Sequence, residues 1–173
     1  RVTEIHAEFE ERVQLTERAA VQAARREIEQ QLGEASCLLV AGGHVGILLQ
    51  RLRLFDIAGL WGDQPVIAWS AGAMALSERV VLFHDSPPQG SAYAEVMDAG
   101  LGLLPRFVAF PHARFRLRTE DPVRVQLLAR RFTPATCALL DYGVRFDWRD
   151  GEWRGHTDSR RLCLSGELQE LTP

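Results

Sequence analysis

The stretch PVIAWSAGAMAL, Pro65 to Leu76, decides the fold. A short apolar run opens on a proline, at the first strand position, where no ladder donor is lost. It runs into Ser70, with Ala68, Ala71 and Gly72 close by, and a helix-like run follows. A strand that turns at once into a helix needs small residues at the corner, as in the G-x-S-x-G nucleophile elbow. Ala68 stands where that pattern has its first glycine. Such a corner lifts the Ser70 hydroxyl above the sheet edge. It also aims the Ala71 amide, at a helix N-terminus, where an oxyanion would form. The competing reading is a serine that caps an ordinary helix.

Outward from this corner the chain alternates strands and helices. Upstream, Glu8 to Leu32 is charged, alanine-rich and free of Gly and Pro. The stripe Phe9, Val13, Ala20, Ala24, Ile28, Leu32 predicts one long helix or two shorter ones, ended by Gly33. SCLLVAGG reads as a buried strand ending in a glycine turn, and VGILLQRLRLFDIAGL as a helix. Downstream, RVVLF and RFVAF read as strands, with a loop from Ser86 to Gly102 between them. Asp121 and Pro122 start a helix through VRVQLLARRF. TCALL, GVRFDW, EWRGH and RRLCLS read as strands, two of them joined by an Asp-Gly turn. The expected fold class is α/β: a mostly parallel sheet with helices on both faces and added antiparallel strands toward the C-terminus. The 173 residues suit one domain, 1–173.

Composition narrows the function. Hydrophobic residues make up 46% and charged residues 25%, the profile of a globular chain. The apolar runs are too short to span a bilayer, and no basic segment with an apolar core opens the chain. A cytoplasmic protein without membrane contact is expected. The net charge of -3 gives no reason to expect nucleic acid. All 20 basic residues are arginine, which removes lysine Schiff-base chemistry and the P-loop lysine. Cys37, Cys137 and Cys163 fit neither a disulfide framework nor a zinc knuckle, and no H-x-x-x-H spacing occurs. Neither metal nor cofactor is expected.

Ser70 needs a base. Of the five histidines, His44, His84 and His112 follow predicted strands, and ligands of open parallel sheets bind beyond the strands' carboxyl ends. Pattern alone leaves these three open.

EASCLLVAGGHVGILLQRL, PVIAWSAGAMAL and GLGLLPRFVAFPH, in this order and spacing, resemble the aspartyl dipeptidase (dipeptidase E) and cyanophycinase family. The resemblance runs from about Gly33 to Gly143. It implies a class I glutamine amidotransferase-like domain, a three-layer α/β sandwich with a serine nucleophile. It implies Ser70 as nucleophile and His112 as general base, with an oxyanion hole from the amides of Ala71 and Gly43. It also implies a serine peptidase acting on small aspartyl-containing peptides. The alternative is an inactive member that serves as a binding or regulatory module. A third reading, an esterase of the α/β-hydrolase type, agrees with the order Ser70, Asp85, His112 but suits a longer chain.

Several residues depart from the family pattern. Tyr142 stands where an acidic residue is usual, beside Asp141, while Asp85 matches an aspartate linked to the dipeptidase. The third triad member is therefore Asp85, Asp141 or neither. His44 replaces the asparagine of the family's G-G-N turn and is assigned to substrate positioning. Arg114 and Arg116, with Arg118 behind them, are the cations for an acidic substrate side chain. If extended, they share one face; the competing reading is a solvated charged edge. Relatives begin with a further strand, so the domain is expected to lack its N-terminal strand. A fragment or a partner chain, such as a homodimer mate, would account for it.

Overall fold

The computed structural model describes residues 2–84 and 94–171. Over these the chain is a mixed α/β structure without a closed barrel. Helices α1 (Val2–Val13) and α2 (Ala19–Gly33) form the N-terminal arm, separated by a short 3-10 turn at Leu15–Glu17. Strand β1 (Leu38–Val40) leads to α3 (Val45–Leu54) and α4 (Ile57–Trp61). The single helix expected there breaks at Asp56, which adopts φ 53° and caps α4 by accepting from the Gly59 amide. Arg25 of α2 reaches the same carboxylate at 2.6 Å. A short polar side chain tolerates this left-handed conformation, so the periodicity continues through a turn it does not reveal.

Strand β2 (Val66–Ala68) pairs in parallel with β1, Leu38 opposite Val66 and Val40 opposite Ala68. Helix α5 (Ala71–Leu76) follows directly. Its first turn lies on the end of β1, so close that a Cβ on Gly72 would meet the Val40 carbonyl oxygen at 2.2 Å. Only glycine fits there. Next comes the antiparallel pair β3 (Arg79–Leu82) and β4 (Glu95–Ala99). Strand β4 lies inside the stretch expected to be loop, because its pairing to β3 overrides its loop-like composition.

Strand β5 (Phe107–Pro111) runs parallel to β6 (Thr136–Leu140), with α6 (Ala113–Arg116) and α7 (Pro122–Phe132) between them. Asp121 starts α7 by accepting from the Val123 and Arg124 amides, and Pro122 follows in the first turn. Every residue of β5 is buried. Phe107 and Ala109 join a core with Leu49, Met74 and Val80. Val108 and Phe110 join another with Val125, Phe132 and Leu162. Two covered faces explain why this strand is uniformly apolar. Strands β7 (Phe146–Arg149) and β8 (Glu152–Gly155) form a hairpin across Asp150-Gly151, both at positive φ, as the Asp-Gly dipeptide predicts. Strand β9 (Arg160–Leu162) adds antiparallel to β6, and β10 (Leu168–Glu170) to β9. Among the described residues no helix is long and apolar enough to cross a membrane.

The two parallel pairs are coupled through Ser77, at the end of α5. Its buried hydroxyl donates to the Ala73 carbonyl at 2.7 Å and accepts from the Ala109 amide of β5 at 3.2 Å. The Glu78 amide then donates to the Phe107 carbonyl. Ser77→Ala leaves the Ala109 N–H unpaired in the core. It is expected to lower unfolding free energy by about 1–3 kcal/mol in urea denaturation.

The β7–β8 hairpin carries a charge cluster. The Asp147 carboxylate accepts from Arg145 at 2.7 and 2.9 Å and lies 3.0 Å from His156 Nε2. The Arg145 bond foremost, with His156 adding, holds its pKa below the ordinary carboxylate value. A lowered native pKa stabilises the fold above about pH 4, and that contribution disappears as pH falls through the native value. Below pH 4 the wild type should therefore lose stability more steeply than Asp147→Asn, read as Tm against pH.

Candidate active site

The in-register pairing of β1 and β2 brings their carboxyl ends side by side, and the Trp69 amide donates to the Val40 carbonyl at 3.1 Å. After β1 comes the turn Ala41–Gly42–Gly43–His44; after β2 comes Ser70. The two meet: a Cβ on Gly42 would lie 3.1 Å from Ser70 Cβ and 3.2 Å from its Oγ. The first alanine side chain at position 42 would crowd the hydroxyl, so the turn approaches as backbone only.

Ser70 adopts φ 52°, ψ −125°. A non-glycine residue there carries strain on the order of 1–3 kcal/mol. Its side chain makes no capping hydrogen bond to α5. The plain helix-cap reading therefore fails: an N-cap serine sits in extended backbone and accepts from the second or third amide. The half-buried hydroxyl is instead held at a tight corner with no partner among the described residues. The Ala71 and Gly43 amides also donate to no backbone acceptor among them, and Gly43 has φ +146°.

His44 caps α3, its Nδ1 accepting from the Ile47 amide at 3.3 Å. An accepting Nδ1 puts the proton of the neutral ring on Nε2. His112 ends β5 in the left-handed region, φ 55°, ψ 39°, with its amide donating to the Leu140 carbonyl at 3.0 Å. Its exposed ring makes no hydrogen bond among the described residues. Because Pro111 faces Leu140 across the parallel pair, His112 and Asp141 leave adjacent strand ends together. The Asp141 carboxylate accepts from the Arg114 amide at 3.1 Å and so caps α6. Tyr142 is fully exposed and makes no hydrogen bond among the described residues. Asp85 lies outside the described residues. His84 faces Glu95 at 3.5 Å.

The arginine segment is corrected. Residues 113–116 form a helical turn instead of the extended strand considered for HARFRLR. The left-handed turn at His112 and the Asp141 cap start this helix. Arg114 is exposed. Arg116 is half-buried, its guanidinium 5.1 Å from the Phe83 ring centre and donating to the Pro111 carbonyl at 3.4 Å. Cys137, in the core, is no rival nucleophile: burial above all, with Cys163 adding, pushes its thiol up to about 12. Among the described residues no group of three or more metal-binding side chains comes together.

Two contributors escaped the sequence reading. Gly42, more than Gly43, walls the serine. Ser77 ties the elbow helix to the histidine strand; its signal was a lone hydroxyl at the end of the small, apolar run AGAMAL.

No curated protein and no solved structure matches the chain. A family model does match it, that of Peptidase family S51, over residues 3–143. That span holds the elbow, the glycine turn, His112 and Asp141, and leaves β7 to β10 beyond it. With its elbow, turn and histidine strand all inside the matched span, this chain belongs to Peptidase family S51.

Proposed function

We propose that the chain is a serine peptidase for small aspartyl-containing peptides, with Ser70 as nucleophile and His112 as general base. The observation that carries this reading is the strained, uncapped Ser70 at φ 52°, ψ −125°, next to a backbone-only turn. Strain without a structural benefit points to a role for the hydroxyl itself. The heights of the two groups agree. From Ala109 the strand climbs about 10 Å to His112 at about 3.3 Å per residue. From Ser77, bonded to Ala109, α5 climbs about 10 Å to Ser70 at about 1.5 Å per residue. In the three-layer sandwich of our reading, both climbs end at the carboxyl edge of one parallel sheet.

The chemistry follows. Ser70 Oγ attacks the peptide carbonyl carbon while His112 takes its proton. The negative oxygen of the tetrahedral intermediate is held by the Ala71 and Gly43 amides; one such donor is worth about 3 kcal/mol of transition-state stabilisation. Collapse expels the amine, which receives the proton from His112, and water then releases the acyl group in the same two steps. Asp141, which leaves the strand end beside that of His112, is the described carboxylate that would steady the imidazolium; Asp85 is the other candidate. Arg114, with Arg116 behind it, supplies the cation for an aspartyl side chain, and His44 borders the entry over Gly42.

One observation favours a non-catalytic module instead: the Asp141 carboxylate is engaged by the Arg114 amide, not by an imidazole. A fluorophosphonate probe decides between the readings. Labelling of Ser70, lost in Ser70→Ala, is expected, together with turnover of Asp-Leu over Ala-Leu; no labelling of the folded chain overturns the peptidase. Ser70→Ala should lower kcat by at least about a thousandfold. Asp141→Asn keeps an oxygen for the Arg114 amide, so the Tm should hold. If Asp141 supports the base, kcat falls about a hundredfold or more; an unchanged kcat assigns that role elsewhere.

A further inference from the structure

A cavity of about 510 Å³ opens between α7, the turn after α6 and β9. None of Ser70, Gly42, Gly43 and His112 lines it. Its floor is apolar core surface: Leu117, Val125 and Leu162 are each less than a tenth exposed. Its lip is apolar too. Val123 and Leu127, four residues apart on one face of α7, stand 63% and 60% exposed beside it. Single exposed aliphatics carry no message, but two in register, continuous with a buried floor, form a surface that a ligand would cover.

The charge around this floor is mostly positive. Four arginines line it, Arg116, Arg118, Arg124 and Arg131, against the single carboxylate of Asp121. That carboxylate is committed: it accepts from the Val123 and Arg124 amides and lies 3.7 Å from the Arg124 guanidinium. Arg116 is held on Phe83 and Pro111. Arg118 and Arg131 are exposed and have no acid partner among the described residues. Two uncommitted guanidinium forks over an apolar trough match a molecule with a carboxylate at one end and an aliphatic or aryl body at the other. The volume suits a small ligand.

We infer that this cavity is a binding site for an amphipathic carboxylate, its apolar body on the α7–β9 floor and its head between Arg118 and Arg131. The inference stands on the cavity alone and holds whether or not Ser70 is catalytic.

Calorimetric titration of the full chain with decanoate, below its micelle concentration, tests it. One-site binding with a Kd on the order of micromolar is expected. Acetate, which lacks the body, and decan-1-ol, which lacks the charge, should each bind at least about tenfold more weakly. The double variant Arg118→Ala/Arg131→Ala should lose about tenfold or more in affinity. So should Leu127→Asp, both with unchanged circular dichroism and Tm because the positions are exposed. Absence of decanoate binding at millimolar concentration overturns the site. Equal binding of acetate reduces it to an anion patch, equal binding of decan-1-ol to a greasy groove, and unchanged affinity in the double variant puts the ligand elsewhere; each of these also overturns it.

Discussion

The hydroxyl of Ser77 is the constraint on which the rest of the molecule depends. It is buried in an apolar core, where an unpaired polar group costs more than a hydrogen bond returns. By donating within α5 and accepting from β5 it satisfies itself and fixes a six-residue helix against a strand. So short a helix has no stability of its own. Its length, position and direction are set by its ends: the corner at Ser70, the close approach of Gly72 to β1, and Ser77 on Ala109. The elbow and the histidine strand are thus joined through one short helix as a unit.

Backbone strain gathers at the strand ends of this unit. Ser70 and His112 both stand at positive φ, at the carboxyl ends of their strands, and neither side chain is used in capping. His44 and Asp141, their neighbours across each parallel pair, do cap, each holding an amide of the helix it borders. The arrangement divides labour. Two side chains fasten helix starts, and two beside them have no hydrogen-bond partner among the described residues. The arginines divide likewise: Arg116 is spent on Phe83 and Pro111, while Arg114, Arg118 and Arg131 face solvent.

Much of the fold was legible because apolar runs and punctuating residues act locally. The strand at Phe107–Pro111, the Asp-Pro start of α7 and the Asp-Gly hairpin all lie where pattern places them. The misses share a cause. Asp56 breaks a helix that periodicity continues, β4 forms only because β3 offers a partner, and α6 replaces an extended segment because Asp141, twenty-seven positions on from Arg114, caps it. Each depends on a group distant in sequence or on a single backbone angle, and hydropathy reports neither. The charge cluster at Asp147 escaped in part for the same reason: Arg145 stands two positions away, but His156 meets the carboxylate only across the hairpin.

By itself the sequence determined the alternation of elements, the small residues at the corner, and the pairing of an elbow motif with a later Pro-His segment that marks the family. Those are matters of residue size and local backbone preference, written in consecutive positions. Tertiary structure decided what each polar group is free to do. It freed Ser70 by bending its backbone out of capping geometry, and committed His44 and Asp141 to amides. It also turned Arg116 and Arg118 from a strand edge into the rim of a cavity and left Arg114 outside it. A hydrogen bond needs a partner within about 3 Å, and only the folded chain chooses who that partner is.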